Sequence, residues 1–261
     1  MGYERVCRDI LSTPSDLVFC YDGGLFGFYC CVHACFALHR LPLAIQPDGA
    51  AQTLLLPERR VETDADAAQR VRASIREKIS PRALELVESV FLSCLFQKEM
   101  ALLRFLLLGY QDGLSVMQKL SHPDVAALLN AERGLLREAH LLTGFIRFSD
   151  FGGKLAATIR PKNFVLPFLA GHFADRFSQE TFIIYDRTHG AALLHENGRA
   201  SLVQMEGFSL PEADETEERY RALWRRFHRT LSIEARKNPV CQRTHMPKRF
   251  WSEMTEMQDL L

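Results

Sequence analysis

No stretch of this 261-residue chain is apolar for long enough to cross a bilayer. The longest, MALLRFLLLGY at Met100–Tyr110, is interrupted by Arg104. The opening MGYERVCRDI is charged and has no apolar h-region, so a secretory signal is not expected. Val6 stands where N-myristoylation needs Ser or Thr. A cytoplasmic protein without membrane attachment is the resulting expectation. Cysteines number seven, an odd count at irregular spacing, which fits reduced thiols better than a disulfide framework. There is no internal repeat and no low-complexity tract.

The motifs of familiar chemistry are missing too. Neither GxGxxG nor GxxxxGK[ST] occurs, nor HExxH, a Ser-His-Asp order or the deaminase HxE…PCxxC pattern. Whether the chain is an enzyme therefore stays open. Cys30, Cys31 and Cys35 with His33 invite a metal, but structural zinc takes CxxC-type pairs with a second pair elsewhere, and none is present. CVHAC begins a radical-SAM CxxxCxxC spacing, yet Leu38 occupies the third ligand position. Small buried core residues are the expectation for these cysteines, with no metal and no cofactor in this chain.

What is present is an ordinary globular composition, 47% hydrophobic and 25% charged. A formal net charge of zero conceals a strong polarity. Six acidic and no basic residues lie between Glu206 and Glu218, whereas Arg219–Trp251 holds ten Lys or Arg against Glu234. Such asymmetry speaks about partners, while the total speaks about solubility.

Periodicity divides the chain at about residue 143, although the two parts could form one compact domain. Residues 1–143 read as mainly helical, with a short strand at Leu17–Tyr21, a glycine turn at Asp22-Gly23-Gly24 and an apolar helix through Leu38. That turn could offer N–H groups to a phosphate, or could be a plain turn. Gln52–Leu56 and Val61–Thr63 suggest a small hairpin. Helices are expected from Asp64, from Ser80-Pro81 and from Asp124 to Leu142.

Residues 144–261 read as strands at Phe145–Phe148, Lys154–Arg160, Thr181–Tyr185 and Ala191–His195, with a helix at HFADRF, His172–Phe177. This predicts an α+β fold: a helical N-terminal half, an antiparallel sheet carrying a helix to about Gln204, then a basic helix, Arg219–Leu231, and arm. His172, Asp175 and Arg176 would share one helix face, an arrangement suited to acid–base work or phosphate contact, or to ordinary surface pairing. Asp186 could join that face or shape a turn. In the basic segment, Arg225, Arg229, Arg236, Lys237, Arg243, Lys248 and Arg249 are candidate phosphate contacts, with Trp251 among the aromatics between them. The alternative is that the aromatics pack inward and the arginines neutralise the preceding acidic stretch.

YDGGLFGF (Tyr21–Phe28), LREAHLLTGFIRF (Leu136–Phe148), HFADRF with IIYD (Ile183–Asp186), and LWRRF…ARKNPVCQRTHMPKRFW (Leu223–Trp251) resemble the DUF4130 family of bacterial proteins. The resemblance implies a DNA-metabolism or DNA-repair role beside a radical-SAM protein, with the iron–sulfur cluster and S-adenosylmethionine in that partner. Some members continue into a uracil-DNA-glycosylase-like domain, which these residues do not contain. Gly171 stands where relatives often have proline, and His189 where arginine is more usual. The expected function is that of an accessory protein that binds DNA and acts with a radical-SAM partner. Two alternatives are an enzyme working on nucleotides or damaged DNA through a His–Asp pair and a structural interaction module.

Overall fold

The computed structural model describes residues 3–49, 56–236 and 238–258. It is an α+β protein of two compact units, Met1–Leu135 and Leu136–Leu261, whose boundary falls within one long helix.

The first unit begins with α1 (Tyr3–Ser12), β1 (Val18–Tyr21) and α2 (Leu25–Leu38). Helix α2 buries Phe28, Tyr29, Cys31 and Cys35 and is apolar on most of its circumference, as an interior helix must be. Strand β1 lies between β2 (Ala44–Pro47) and β3 (Glu58–Arg60), parallel to both. The expected hairpin is thus not the arrangement around residue 60: the strand is Glu58–Arg60, and it pairs with the distant β1. Residues 52–55, the hairpin's other arm, lie outside the described residues. The helices follow their start signals. Asp64 accepts from Asp66 N and Ala67 N to cap α3 (Ala65–Lys78), and Ser80 accepts from Ala83 N before Pro81 opens α4 (Pro81–Phe91). Helix α5 (Lys98–Asp112) supplies Leu102, Leu103, Phe105, Leu106 and Leu107 to the core. Two buried glutamates are matched: Tyr21 Oη donates to Glu99 at 3.0 Å, and Arg82 forks onto Glu132.

Helix α6 (Pro123–Phe145) runs on into the second unit. There a five-stranded sheet has the order β4-β5-β6-β7-β8: Ser149–Asp150, Lys154–Ile159, Thr181–Asp186, Ala191–Glu196 and Arg199–Gln204. Three pairings are antiparallel, but β5 and β6 are parallel. The sheet is therefore mixed, not wholly antiparallel. Helix α7 (Leu166–Arg176) is the crossover that lets β6 return in the direction of β5. Phe145 ends α6 instead of starting a strand, and Phe148 joins Phe173, Phe177 and Phe182 in an aromatic cluster with centroids 5.1–6.5 Å apart. The HFADRF stretch is explained by that cluster, since Phe173 and Phe177, four apart, face inward.

Candidate functional site

Helix α8 (Glu215–Leu231) is started by Asp214, whose side chain accepts from Glu217 N, and carries acids in its first turn and His228 and Arg229 in its last. Both ends thus complement the helix dipole. Its attachment inverts the usual amphipathic rule. The side turned to the body of the second unit is polar. Glu217 accepts from Asp150 N and Arg221 Nε, Arg221 Nη2 donates to Ser149 Oγ, Trp224 Nε1 donates to Glu256 at 2.9 Å, and Arg225 Nε donates to Thr255 O. The apolar residues Tyr220, Leu223, Phe227 and Leu231, which their periodicity suggests should be packed, are 52–65% exposed.

Beyond α8 the chain forms a 3-10 turn at Glu234–Arg236, a short α9 (Pro239–His245), capped by Asn238, and a second 3-10 segment at Lys248–Glu253. Buried carboxylates pin the end of this segment. Glu256 takes a fork from Arg147 with Nη2–Oε1 at 2.6 Å, Glu253 accepts from Thr158 and Arg160, and Glu138 binds Arg249 at 3.1 Å. Burial pushes the carboxyls of Glu256 and Glu217 up. Hydrogen bonds outweigh this, from Arg147, the residue's own backbone N–H and Trp224 to Glu256 and from Ser149, Asp150 N and Arg221 to Glu217, and both end below the usual carboxylate range.

The candidate phosphate contacts divide sharply. Arg225, Arg229 and Arg243 donate to backbone carbonyls, of Thr255, Arg225 and Pro239, and so keep an unneutralised charge. Arg236 and Lys248 are exposed and without an ion pair among the described residues; Lys248 Nζ lies 5.4 Å from the Trp251 ring centroid. Arg249 is different, being held by Glu138 and packed over Phe250. Trp251 is different again. It is 5% exposed and gives its indole N–H to Met246 O, so it belongs to the core and presents no free ring face to a base. Lys237 lies outside the described residues.

His172, Asp175 and Arg176 do share the outer face of α7, all exposed, but no hydrogen bond or ion pair joins them among the described residues. The His–carboxylate pair that does form is elsewhere. Asp186, fully buried at the end of β6, accepts from Thr188 N and His189 N through Oδ1, and its Oδ2 stands 2.6 Å from His189 Nδ1. That contact fixes the imidazole through Nδ1, the orientation a general base needs. A strand-ending D-x-x-H, three residues apart across a turn, was the signal for it.

The glycine turn before α2 is already occupied by an acid of the chain. Asp22 Oδ1 accepts from Gly24 N and Oδ2 from Thr63 Oγ1, which places a carboxylate where a phosphate would sit. The plain-turn reading fits this and the phosphate reading does not. Five of the seven cysteines, Cys7, Cys20, Cys30, Cys31 and Cys35, are buried core residues, whereas Cys94 and Cys241 are exposed; burial pushes the Cys7 and Cys35 thiols up to about 12 and Cys31 higher still. Among the described residues no helix is long and apolar enough to cross a membrane.

No curated protein and no solved structure matches this chain. A family model does match residues 96–256, which span the end of the first unit and nearly all of the second; it is described as a domain of unknown function. The chain belongs to that family, DUF4130.

Proposed function

We propose that this protein binds nucleic acid through the segment from α8 to Lys248 and serves DNA metabolism as an accessory to a radical-SAM enzyme. The observation that carries the binding is the state of the cations: Arg225, Arg229, Arg236, Arg243 and Lys248 meet no carboxylate among the described residues. Arg221 in the same helix, and Arg147, Arg160 and Arg249 outside the segment, are by contrast each matched to a glutamate. An array of unneutralised guanidinium groups on one continuous segment suits a polyanion, and exposed Phe227 and partly exposed Trp224 lie among them. The radical-SAM association rests on the family resemblance.

The test is a titration of the Arg236→Ala/Arg243→Ala double variant with single-stranded and duplex oligonucleotides across a range of salt. Loss of two phosphate contacts flattens the duplex slope of log K against log salt by about 1.8. Unchanged affinity and slope reject the assignment.

The Asp186–His189 contact favours a second reading, in which the chain itself performs acid–base chemistry on damaged DNA. Here His189→Gln abolishes turnover of a lesion-bearing oligonucleotide while His172→Gln does not. Absence of turnover by the unaltered protein, or its survival in His189→Gln, removes this reading.

A further inference from the structure

The outward stripe of α8, which shares Phe227 and Trp224 with the nucleic-acid reading, carries an inference of its own. Tyr220, Leu223 and Phe227 follow the a, d, a positions of a heptad, and Trp224 and Leu231 fall at e. On this register Arg219 and Arg226 are the two g residues. Both are exposed and neither has an ion pair among the described residues. The seam spans about 16 Å of helix, roughly three turns. Contiguous exposed side chains of this kind on a helix mark an interaction surface.

The chemistry of the occupant follows from the border of the seam. Bases stack on aromatic faces, but Leu223 and Leu231, which are 52% and 63% exposed, offer none, so nucleic acid leaves half the seam unused. A lipid surface favours a cationic border throughout, whereas Glu212, Asp214, Glu215 and Glu218 stand exposed at the start of this helix. A second copy of the chain places Arg219 and Arg226 against each other when antiparallel, and against Trp224 and Leu231 when parallel. Neither arrangement neutralises them.

We infer that α8 docks an amphipathic helix of a protein partner, one with an apolar seam bordered by glutamate or aspartate facing Arg219 and Arg226. The polar side of α8 remains on its own sheet while this happens, because Glu217 and Arg221 hold it there and Trp224, at the edge of the seam, keeps its indole N–H on Glu256.

The probe is a stapled amphipathic peptide with Leu at a and d and Glu at the flanking positions, titrated into the full chain by fluorescence anisotropy. The control is the same peptide with Lys for Glu. Expected is binding of the Glu peptide at least tenfold tighter than the Lys peptide, loss of it in Leu223→Asp, and reversal of the preference in Arg219→Glu/Arg226→Glu. Because these positions are exposed, the variants keep the wild-type circular dichroism and melting temperature. Equal affinity for the two peptides, or no binding to either, overturns the inference. So does a Leu223-dependent dimer in sedimentation, which would make a second copy the occupant, or Leu223-dependent binding to vesicles containing phosphatidylserine, which would make it a membrane.

Discussion

Glu138 offers the sharpest test of how the second unit is held together. It projects from α6 at 2% exposure and accepts from Lys162 N at 3.1 Å, Asn163 N at 2.9 Å and Asn163 Nδ2 at 2.6 Å, while pairing with Arg249. One carboxylate thus fixes the loop between β5 and α7 and the C-terminal turn together. Glu138→Ala strips the acceptor from all three donors. Each buried donor so deprived costs about 1–3 kcal/mol, and water entering the vacated space recovers part, which leaves a net loss of roughly 3 kcal/mol. Glu138→Gln keeps an acceptor oxygen for Asn163 but loses the charge facing Arg249, and costs about 1–2 kcal/mol. Both tryptophans of the chain, Trp224 and Trp251, belong to this unit, so indole fluorescence in a urea titration reports it selectively. At a slope of about 2 kcal/mol per molar, Ala moves the midpoint down by about 1.5 M and Gln by less than 1 M. An alanine shift below about 0.3 M, or glutamine as damaging as alanine, refutes the reasoning.

Three other outcomes follow from particular contacts. A Cβ at Gly27 would lie 2.2 Å from Asp22 Oδ1 and 2.9 Å from Tyr21 Cδ2, so Gly27→Ala lowers stability by about 1–3 kcal/mol and Asp22→Ala in the same chain restores part of it, as read by chemical denaturation. Glu256 and Glu217 titrate lower folded than unfolded, so their stabilisation is complete above the ordinary carboxylate range and disappears as pH falls through the lowered values. The indole N–H resonance of Trp224, bonded to Glu256, therefore moves in acid, and Glu256→Gln removes that movement. Finally, Phe173→Ala, cutting into the four-ring cluster, costs about 3–5 kcal/mol, whereas His172→Ala beside it changes the urea midpoint by almost nothing.

Local chemistry was legible wherever it acts within a few residues. Asp64 and Ser80-Pro81 start helices where N-cap and N1 preferences place them, whereas α9, capped by Asn238, was not read from the basic arm. The α+β class and the apolar interior of α4 and α5 were equally readable. What escaped was non-local. Nothing in Ala44–Pro47, Glu58–Arg60 or Thr181–Asp186 says which strand each will meet, so the three parallel pairings were missed. Strand β8, mostly exposed at the sheet edge, lacks the alternation that announces a half-buried strand. Charge density identified the basic segment, but not that Arg249 has a buried carboxylate waiting on α6 or that Trp251 packs inside. For His172 and His189 the helical spacing of the first was more conspicuous than the turn geometry of the second, and only the second meets a carboxylate.

The inverted seating of α8 governs how that helix would come away from the sheet. Contacts made by Glu217, Arg221 and the Trp224 indole bury comparatively little apolar surface, so releasing them carries only a small heat-capacity change. Warming or cooling by itself therefore shifts the attachment weakly, while acid, which protonates Glu217 and Glu256, shifts it more. Breaking these contacts removes no ring from the four-phenylalanine cluster, to which α8 contributes none.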